Sequence, residues 1–400
     1  MPVRSKSVRS VAVLGVVGAL ALAGCGGGDN TSSSGGLGGS PAASGGAGQT
    51  YKMGFQGPLS GDNQQLGINE INAMELAIEE ANASGKYPFK ITIVKSDDGG
   101  VADKAPAAAA ALIQDAQVMG VIGPSFSGPT SATGKIYAQA GMGLISPSAT
   151  NADLTKSGFT TFHRVVPTDG VEGTQAAEWI AKKYKKVFVV DDTTVYGKGV
   201  ADVVASVLKS KGVAVTRQGV AQNTQDYGAI AQTVTSSRSG AMFYGGYDAQ
   251  AALFAKALKS AGFKGATITG NGGKSTVFTA VAGAAGNGWY FSCGCLDATL
   301  APEAKAFNAA YTEKFNTPPS TYSPEAYDAT YAMLEAYKAA ASSGGITRKS
   351  VLDAIKKLNY KGITATIAFL PNGEVSVATV NLYQQKAGKI VLIGNIKEQA

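Results

Sequence analysis

Residues 121–130 read VIGPSFSGPT and set Ser125 and Ser127 among glycines and prolines directly behind a short apolar run. Two chemistries use a hydroxyl placed this way. A nucleophilic serine needs a base within hydrogen-bond reach, whereas a donor serine at a helix start helps cradle an anion. The nucleophile reading meets two obstacles. The run Gly123-Pro124-Ser125-Phe126-Ser127-Gly128 lacks the glycine spacing of the Gly-x-Ser-x-Gly elbow, and a proline interrupts it. The only histidine, His163, lies inside the strand-like run FHRVVP, where it reads as a packed or surface residue near a crossover. The sequence displays no cluster with metal-ligand spacing and no phosphate-binding glycine loop, and nothing in it calls for a cofactor.

The donor reading fits the local chemistry better. Pro129 suits the first turn of a helix, where its missing N–H is no loss, and this puts Ser127 or Gly128 at the cap. Ser127 then lies where a strand ends and a helix begins, beside free N–H groups and the positive end of the helix dipole. SPSAT, at 146–150, follows the next strand and precedes an expected helix start at Asn151-Ala152-Asp153, so it should reach the same sheet edge. From local sequence alone, helix capping is the simpler role for Ser127 and Thr150. Asp97 and Asp98 read as turn and cap residues rather than metal ligands.

What positions these groups begins with the N-terminus. Arg4, Lys6 and Arg9 precede an apolar segment from Val11 to Leu22, and Leu22-Ala23-Gly24 stands immediately before Cys25. This is the layout of a secretory signal peptide over 1–24. The apolar run is too short to span a bilayer stably. Its Leu-Ala-Gly-Cys ending resembles the bacterial lipobox, which implies lipidation of Cys25 and a membrane-tethered, extracytoplasmic protein. Residues 25–50, rich in glycine and serine, have too little apolar content to order and read as a flexible tether. Loss of the leader removes three cations and no acid, taking the formal charge from +7 to +4. With no basic block or aromatic-interleaved basic stripe in the body, the chain is read as binding no nucleic acid.

The remaining chain of about 350 residues is long enough for two ordinary domains. Short β-rich runs alternate with longer amphipathic ones, which argues for parallel sheets with crossover helices. The first series has strands at 51–55, 89–94, 118–123, 142–146 and 162–167, with helices at 66–83, 103–116 and from 129. A second opens at KKVFVVDD (185–192), with strands at 213–220, 241–246 and 266–270 and helices at 200–211, 227–235 and 249–261. A strand-like run at 287–294, helices at 302–315, 325–341 and 347–358, and β-rich runs after 363 follow. The expected fold is therefore α/β, with two Rossmann-like lobes joined by a three-segment hinge. Their expected extents are 51–167 with 296–371, and 168–295 with 372–400, and the crossings fall at 166–168, 292–297 and 371–373. Cys293 and Cys295 lie at one crossing, either as free thiols or as a disulfide, the latter favoured in an exported protein.

PLSG (58–61), VIGPSFS (121–127), ISPSAT (145–150), FHRVVPTD (162–169), DDTTVYGKG (191–199), FYGGYD (243–248) and ITATIAFLPNGE, in this order and spacing, resemble a known family. It is the type I periplasmic binding proteins, specifically the substrate-binding lipoproteins of branched-chain amino acid ABC transporters. The resemblance implies a small-molecule ligand, an amino acid or related carboxylate, and delivery to ABC permease subunits without catalysis. It implies that Ser127 and Thr150 hold the ligand carboxylate, that the Thr150 hydroxyl and the Ser148 carbonyl help hold its ammonium, with Ala149 also at the ligand, and that Tyr196 and Tyr244 close over it, with Tyr247 nearby. The sequence departs from the family where Gly272 replaces a ligand-facing glutamate and Leu66 an aromatic ring. A buried ammonium needs a counter-charge, and Asp248 is the expected replacement. A sensory co-receptor, or a binder of an amide or a carboxylate without an amine, would use the same cleft.

Overall fold

Runs of β-branched and aromatic residues bounded by glycine and polar turns form the strands, and the amphipathic runs between them form the helices. A computed structural model describes residues 48–376 and 379–399. The leader, Cys25 and nearly all of the glycine-rich segment lie outside the described residues. The first series comprises β1 (Gln49–Gly57), α1 (Gln64–Ser84), β2 (Phe89–Asp97), α2 (Ala105–Gln114), β3 (Val118–Ile122), α3 (Ser127–Gln139), β4 (Gly143–Ser146) and β5 (Phe162–Arg164). The second runs through α4 (Asp169–Lys183), β6 (Lys186–Asp191), α5 (Val195–Ser210), β7 (Ala214–Gly219), α6 (Gly228–Ser236), β8 (Ala241–Gly245), α7 (Asp248–Ser260), β9 (Ala266–Thr269), α8 (Thr276–Ala282) and β10 (Tyr290–Cys293). There follow α9 (Lys305–Phe315), α10 (Ser323–Ser342), α11 (Arg348–Ile355), β11 (Asn359–Lys361), β12 (Thr366–Ala368), β13 (Asn381–Lys386) and β14 (Lys389–Asn395).

Two large sheets result, each the centre of one lobe of an α/β fold, and β11 and β12 pair antiparallel in a separate two-stranded sheet. The first has order β2-β1-β3-β4-β5 and is parallel throughout, with Gly54 paired to Val94 on one side and Val121 on the other. The second has order β14-β13-β10-β9-β8-β6-β7 and is parallel from β10 to β7, with β13 and β14 antiparallel at one edge. The C-terminal third supplies both lobes. Met333 and Tyr337 of α10 join Met53, Phe55 and Met74 in the first core, whereas Leu382 and Tyr383 of β13 join Val189, Phe243 and Phe291 in the second. Full burial of such side chains contributes roughly 1.5–3 kcal/mol each, enough to hold the returning segments in place.

Some boundaries differ from the sequence reading. The N-cap of α3 is Phe126, so Ser127 is already helical and Pro129 is the third residue, still within the first turn. After Thr150 only a 3-10 turn forms, Leu154–Lys156. The helix α8 was not expected because glycines flank it; the Ser275 side chain starts it by accepting from Phe278 N at 3.0 Å. The turn at 370–373 is not a crossing. Phe369 bridges Val375, and Arg164 N donates to Gly373 O at 3.0 Å, so this segment is still docked beside β5. Ser376 N still donates to Ala368 O at 2.9 Å, so the chain remains on this lobe at least to Ser376. Cys293 and Cys295 are joined in a disulfide just after β10.

Candidate functional site

The first lobe brings its serines and threonine to the C-terminal edge of the parallel sheet, where open α/β sheets bind ligands. Behind β3, Gly123 has φ +114°, and a Cβ there would lie 2.3 Å from Gln56 O, so only glycine makes this turn. Ser127, buried at the start of α3, accepts from Asn151 N at 3.2 Å. Ser148 Oγ donates to Ser125 O at 2.6 Å, and Ala149 N donates to Ser146 Oγ at 3.0 Å, tying the loop after β4 to the loop after β3. Arg164, fully buried, donates to Ala149 O at 3.0 Å and Asn151 O at 2.8 Å, so Thr150 is clamped from both sides. Thr150 O accepts from Asp169 N at 2.8 Å, yet the buried Thr150 Oγ1 has no hydrogen-bond partner. Ser127 makes no capping bond in α3, and neither hydroxyl acts as the helix cap that its local sequence suggested.

The second lobe presents the starts of α4, α5 and α7. Thr194 caps α5 by accepting from Gly197 N at 2.9 Å, which sets Tyr196 in the first turn. The Tyr196 hydroxyl accepts from Gly272 N at 2.9 Å, and a Cβ on Gly272 would lie 2.6 Å from the tyrosine ring. The absent side chain at 272 is thus the room that Tyr196 fills. Tyr247 stacks on Phe126 of the first lobe at 4.3 Å and lies 5.1 Å from Tyr196. Tyr244 does not reach the cleft: its ring packs on Tyr227 and Phe254 within its own lobe, and Tyr247 takes the facing position. Asp248 is fully buried and faces inward, but its Oδ1 accepts from Asn63 Nδ2 of the first lobe at 2.8 Å, which makes it part of a cross-lobe latch.

The two edges are closed on each other. Leu66, Phe126 and Tyr322 of the first lobe belong to the apolar cluster of the second. Asn151 Nδ2 donates to Val195 O at 2.7 Å, and the Tyr322 hydroxyl donates to Asn271 Oδ1. Between the edges lies a narrow crevice lined by Thr150, Pro167, Glu172, Asn271, Gly294 and Tyr322, too tight in this closed arrangement to hold even a water molecule, so the lobes must part to admit a ligand. A larger hollow beside Lys274 and Asp297 is touched by none of the sheet-edge residues above.

Buried acids dominate the electrostatics. Burial pushes Asp169 up to about 8, with the Glu172 charge adding to the effect. Burial also raises Glu172, to about 7, against hydrogen bonds from Asn271, Ser292 and Gly294 that favour the anion. Burial brings the Arg164 guanidinium down to about 10, so it stays charged at neutral pH. His163 is buried with Nδ1 3.1 Å from Thr161 O and 3.2 Å from Leu144 O, and burial lowers it to about 4. Its Nδ1 faces backbone carbonyls, so His163 is not placed as a base for Ser125 or Ser127. Asp97 Oδ1 accepts from Leu59 N and Gly99 N, both at 2.8 Å, and Asp98 Oδ1 from Gly100 N at 2.9 Å, which are turn contacts. Among the described residues no group of histidine, cysteine and acidic side chains is arranged to hold a metal ion.

Sequence reasoning passed over Arg164, Glu172, Asn271 and Tyr322. Glu172 was the most accessible of them, being an acid in the first turn of a helix that starts at a crossing. Tyr322 precedes Ser323-Pro324 at φ +70°, an unusual backbone state for an aromatic residue that no sequence pattern announces.

Comparison with known proteins bears on this arrangement. A family model described as periplasmic binding protein matches residues 50–389. The Leu/Ile/Val-binding protein BraC3 of Rhizobium johnstonii is 29% identical over 85% of this chain and 92% of its own length. A branched-chain amino acid transporter substrate binding protein of Streptococcus pneumoniae, solved in complex with isoleucine, is 27% identical with a TM-score of 0.79, covering 86% of this chain and 100% of that one. An ABC transporter solute binding protein of R. palustris, solved in complex with benzoate, superimposes with a TM-score of 0.77 over 87% of this chain and 96% of that one. At 21% identity that last likeness is one of fold.

Proposed function

Because this chain belongs to the periplasmic binding protein family, a family of substrate-binding proteins rather than enzymes, we propose that it is the extracytoplasmic binding component of an ABC importer. It closes its two lobes, 51–167 with 296–376 and 168–295 with 379–399, around a small amino acid and presents it to permease subunits. The observation that carries this reading is the unpaired Thr150 hydroxyl, buried at the space between the sheet edges and held there by Arg164. Thr150 and Ser127, with the first-turn N–H groups of α3, would take the ligand carboxylate. Ser148 and Ala149 supply backbone beside it, and Tyr196 closes from the other lobe. Leucine, isoleucine or valine is the favoured ligand, by likeness to the Leu/Ile/Val-binding protein and the isoleucine complex. A carboxylate without an amine is the second reading, favoured by the shared fold of the benzoate complex.

Calorimetric titration with leucine, isoleucine and valine tests the proposal. Ser127→Ala and Thr150→Ala should each weaken binding by roughly 1–3 kcal/mol, and unchanged affinity in both would refute the carboxylate assignment. The proposed anchor is Cys25, outside the described residues, and no helix among those described is long and apolar enough to cross a membrane. Acyl chains favour lipid strongly, so Cys25→Ser should move the protein from the membrane to the soluble fraction; retention in the membrane would refute the anchor.

A further inference from the structure

Among the described residues, no cation forms an ion pair with the carboxylates at the start of α4. Asp169 and Glu172 stand one turn apart, and both are buried, at 1% and 0% exposure. Glu172 lines the enclosed space directly opposite the first lobe's Thr150 loop. Its Oε1 accepts from Asn271 N and Ser292 Oγ, each at 3.0 Å, and its Oε2 from Asn271 Nδ2 at 2.7 Å and Gly294 N at 3.4 Å. These donors orient the group and favour its anionic form. Neither Asp169 carboxylate oxygen has a hydrogen bond of good geometry, although the Thr150 hydroxyl is near enough to favour its anion. Three unpaired oxygen atoms, two on Asp169 and one on Thr150, thus lie buried beside the cleft.

Among the described residues no side chain forms an ion pair with either group, although the Arg164 charge favours the Asp169 anion. Arg164, the nearest guanidinium, is engaged with Ala149 O, Asn151 O and Thr155 Oγ1. Lys274, the other buried cation, lies over the Tyr383 ring at 4.4 Å and reaches Thr321 Oγ1 at 3.4 Å. Asp248 is held by Asn63 in the latch; of the buried acids on this side only Glu172 lines the space, with Asp169 one turn away beside Thr150. Buried charge left unpaired is costly, so a cleft with this composition favours a ligand that brings a cation.

Resting on the binding function proposed above, we propose that Glu172 and Asp169 form the counter-charge for a ligand ammonium, and that this pair makes the cleft select amines over carboxylates lacking one. Burial raises both groups, to about 7 and about 8, and a bound ammonium beside them would draw both back down. The Thr150 hydroxyl lies between the ammonium and carboxylate positions and is open to either.

The test is calorimetric titration of the mature protein with L-leucine, with its deaminated counterpart 4-methylpentanoate, and with benzoate. The wild-type protein is expected to bind leucine at least a hundredfold more tightly than 4-methylpentanoate. Glu172→Gln and Asp169→Asn should each weaken leucine at least tenfold and weaken 4-methylpentanoate less, so that the preference collapses. The wild-type comparison needs no variant to fold. Wild-type preference for 4-methylpentanoate or benzoate would overturn the ammonium site while leaving the binding function intact, as would full leucine affinity in both folded variants. Binding of none of the three would overturn the amino-acid reading and, with it, this inference.

Discussion

Arg164→Ala is expected to destabilise the protein by roughly 3–5 kcal/mol, the scale seen when one partner of a buried charged network is removed. The guanidinium is fully buried, donates to two backbone carbonyls and to Thr155 Oγ1, and lies 3.6 Å from Glu374 Oε1. Its removal leaves Ala149 O and Asn151 O without their donor and opens a cavity beneath the Thr150 loop. Arg164→Lys keeps the charge but cannot span both carbonyls with one planar fork, so its loss should be intermediate. Urea unfolding measures the effect. A loss below about 1 kcal/mol in the alanine variant would mean that the loop is held by other contacts.

Thermal stability is expected to rise as pH falls from about 8.5 to about 5.5, and Glu70→Gln should flatten that slope. Glu70 on α1 is fully buried; the Ser125 hydroxyl donates to its Oε2, but its Oε1 has no partner. Burial lifts it from 4.5 to about 8. In that window the unfolded chain releases the proton while the folded protein keeps it, so the contribution to stability is fully present below pH 4.5 and is lost as pH rises through about 8. At 1.36 kcal/mol per pH unit the effect of this group is roughly 2–5 kcal/mol. Asp169 and Glu325, raised to about 8 and about 7 mainly by burial, act in the same direction, so some slope persists in the variant. Asp202, held below its usual range by Lys198 and Arg217, acts oppositely at lower pH, and His163, lowered from 6.5 to about 4 by burial, opposes the rise below about pH 6.5 because only the unfolded chain takes up its proton there. Scanning calorimetry across the range decides the matter. Equal slopes in wild type and Glu70→Gln would show that Glu70 is ionised in the folded protein.

Local periodicity made the elements legible. A helix expected over 66–83 is Gln64–Ser84, and a strand expected over 185–192 is Lys186–Asp191. In both, apolar positions recur with the period of the element, so the pattern survives any tertiary context. Ser127 and Thr150 were legible for a related reason, since each follows a strand of a parallel series and such strands end at one edge. Contacts made across the fold were not. Arg164 acts on carbonyls 13 and 15 residues away, and the Asn63–Asp248 bond joins residues 185 apart. Nor does spacing reveal that Tyr247 rather than Tyr244 faces the other lobe. That depends on where β8 ends at Gly245 and on how the following turn aims the next ring. The 370–373 turn was misplaced because LPNGE reads as a crossing, whereas Gly373 at φ +87° folds the chain back onto β5.

On the binding function proposed above, two lobes close on a small amino acid held between their sheet edges. Small-angle scattering of the mature protein, with and without saturating isoleucine, addresses it most directly. The account predicts an open, larger particle without ligand and a smaller one with it, whose profile matches the closed arrangement in which Tyr322 meets Asn271 and Asn63 meets Asp248. Identical profiles in the presence of saturating isoleucine, or in the presence of any ligand that calorimetry shows to bind, would contradict closure as the binding mechanism.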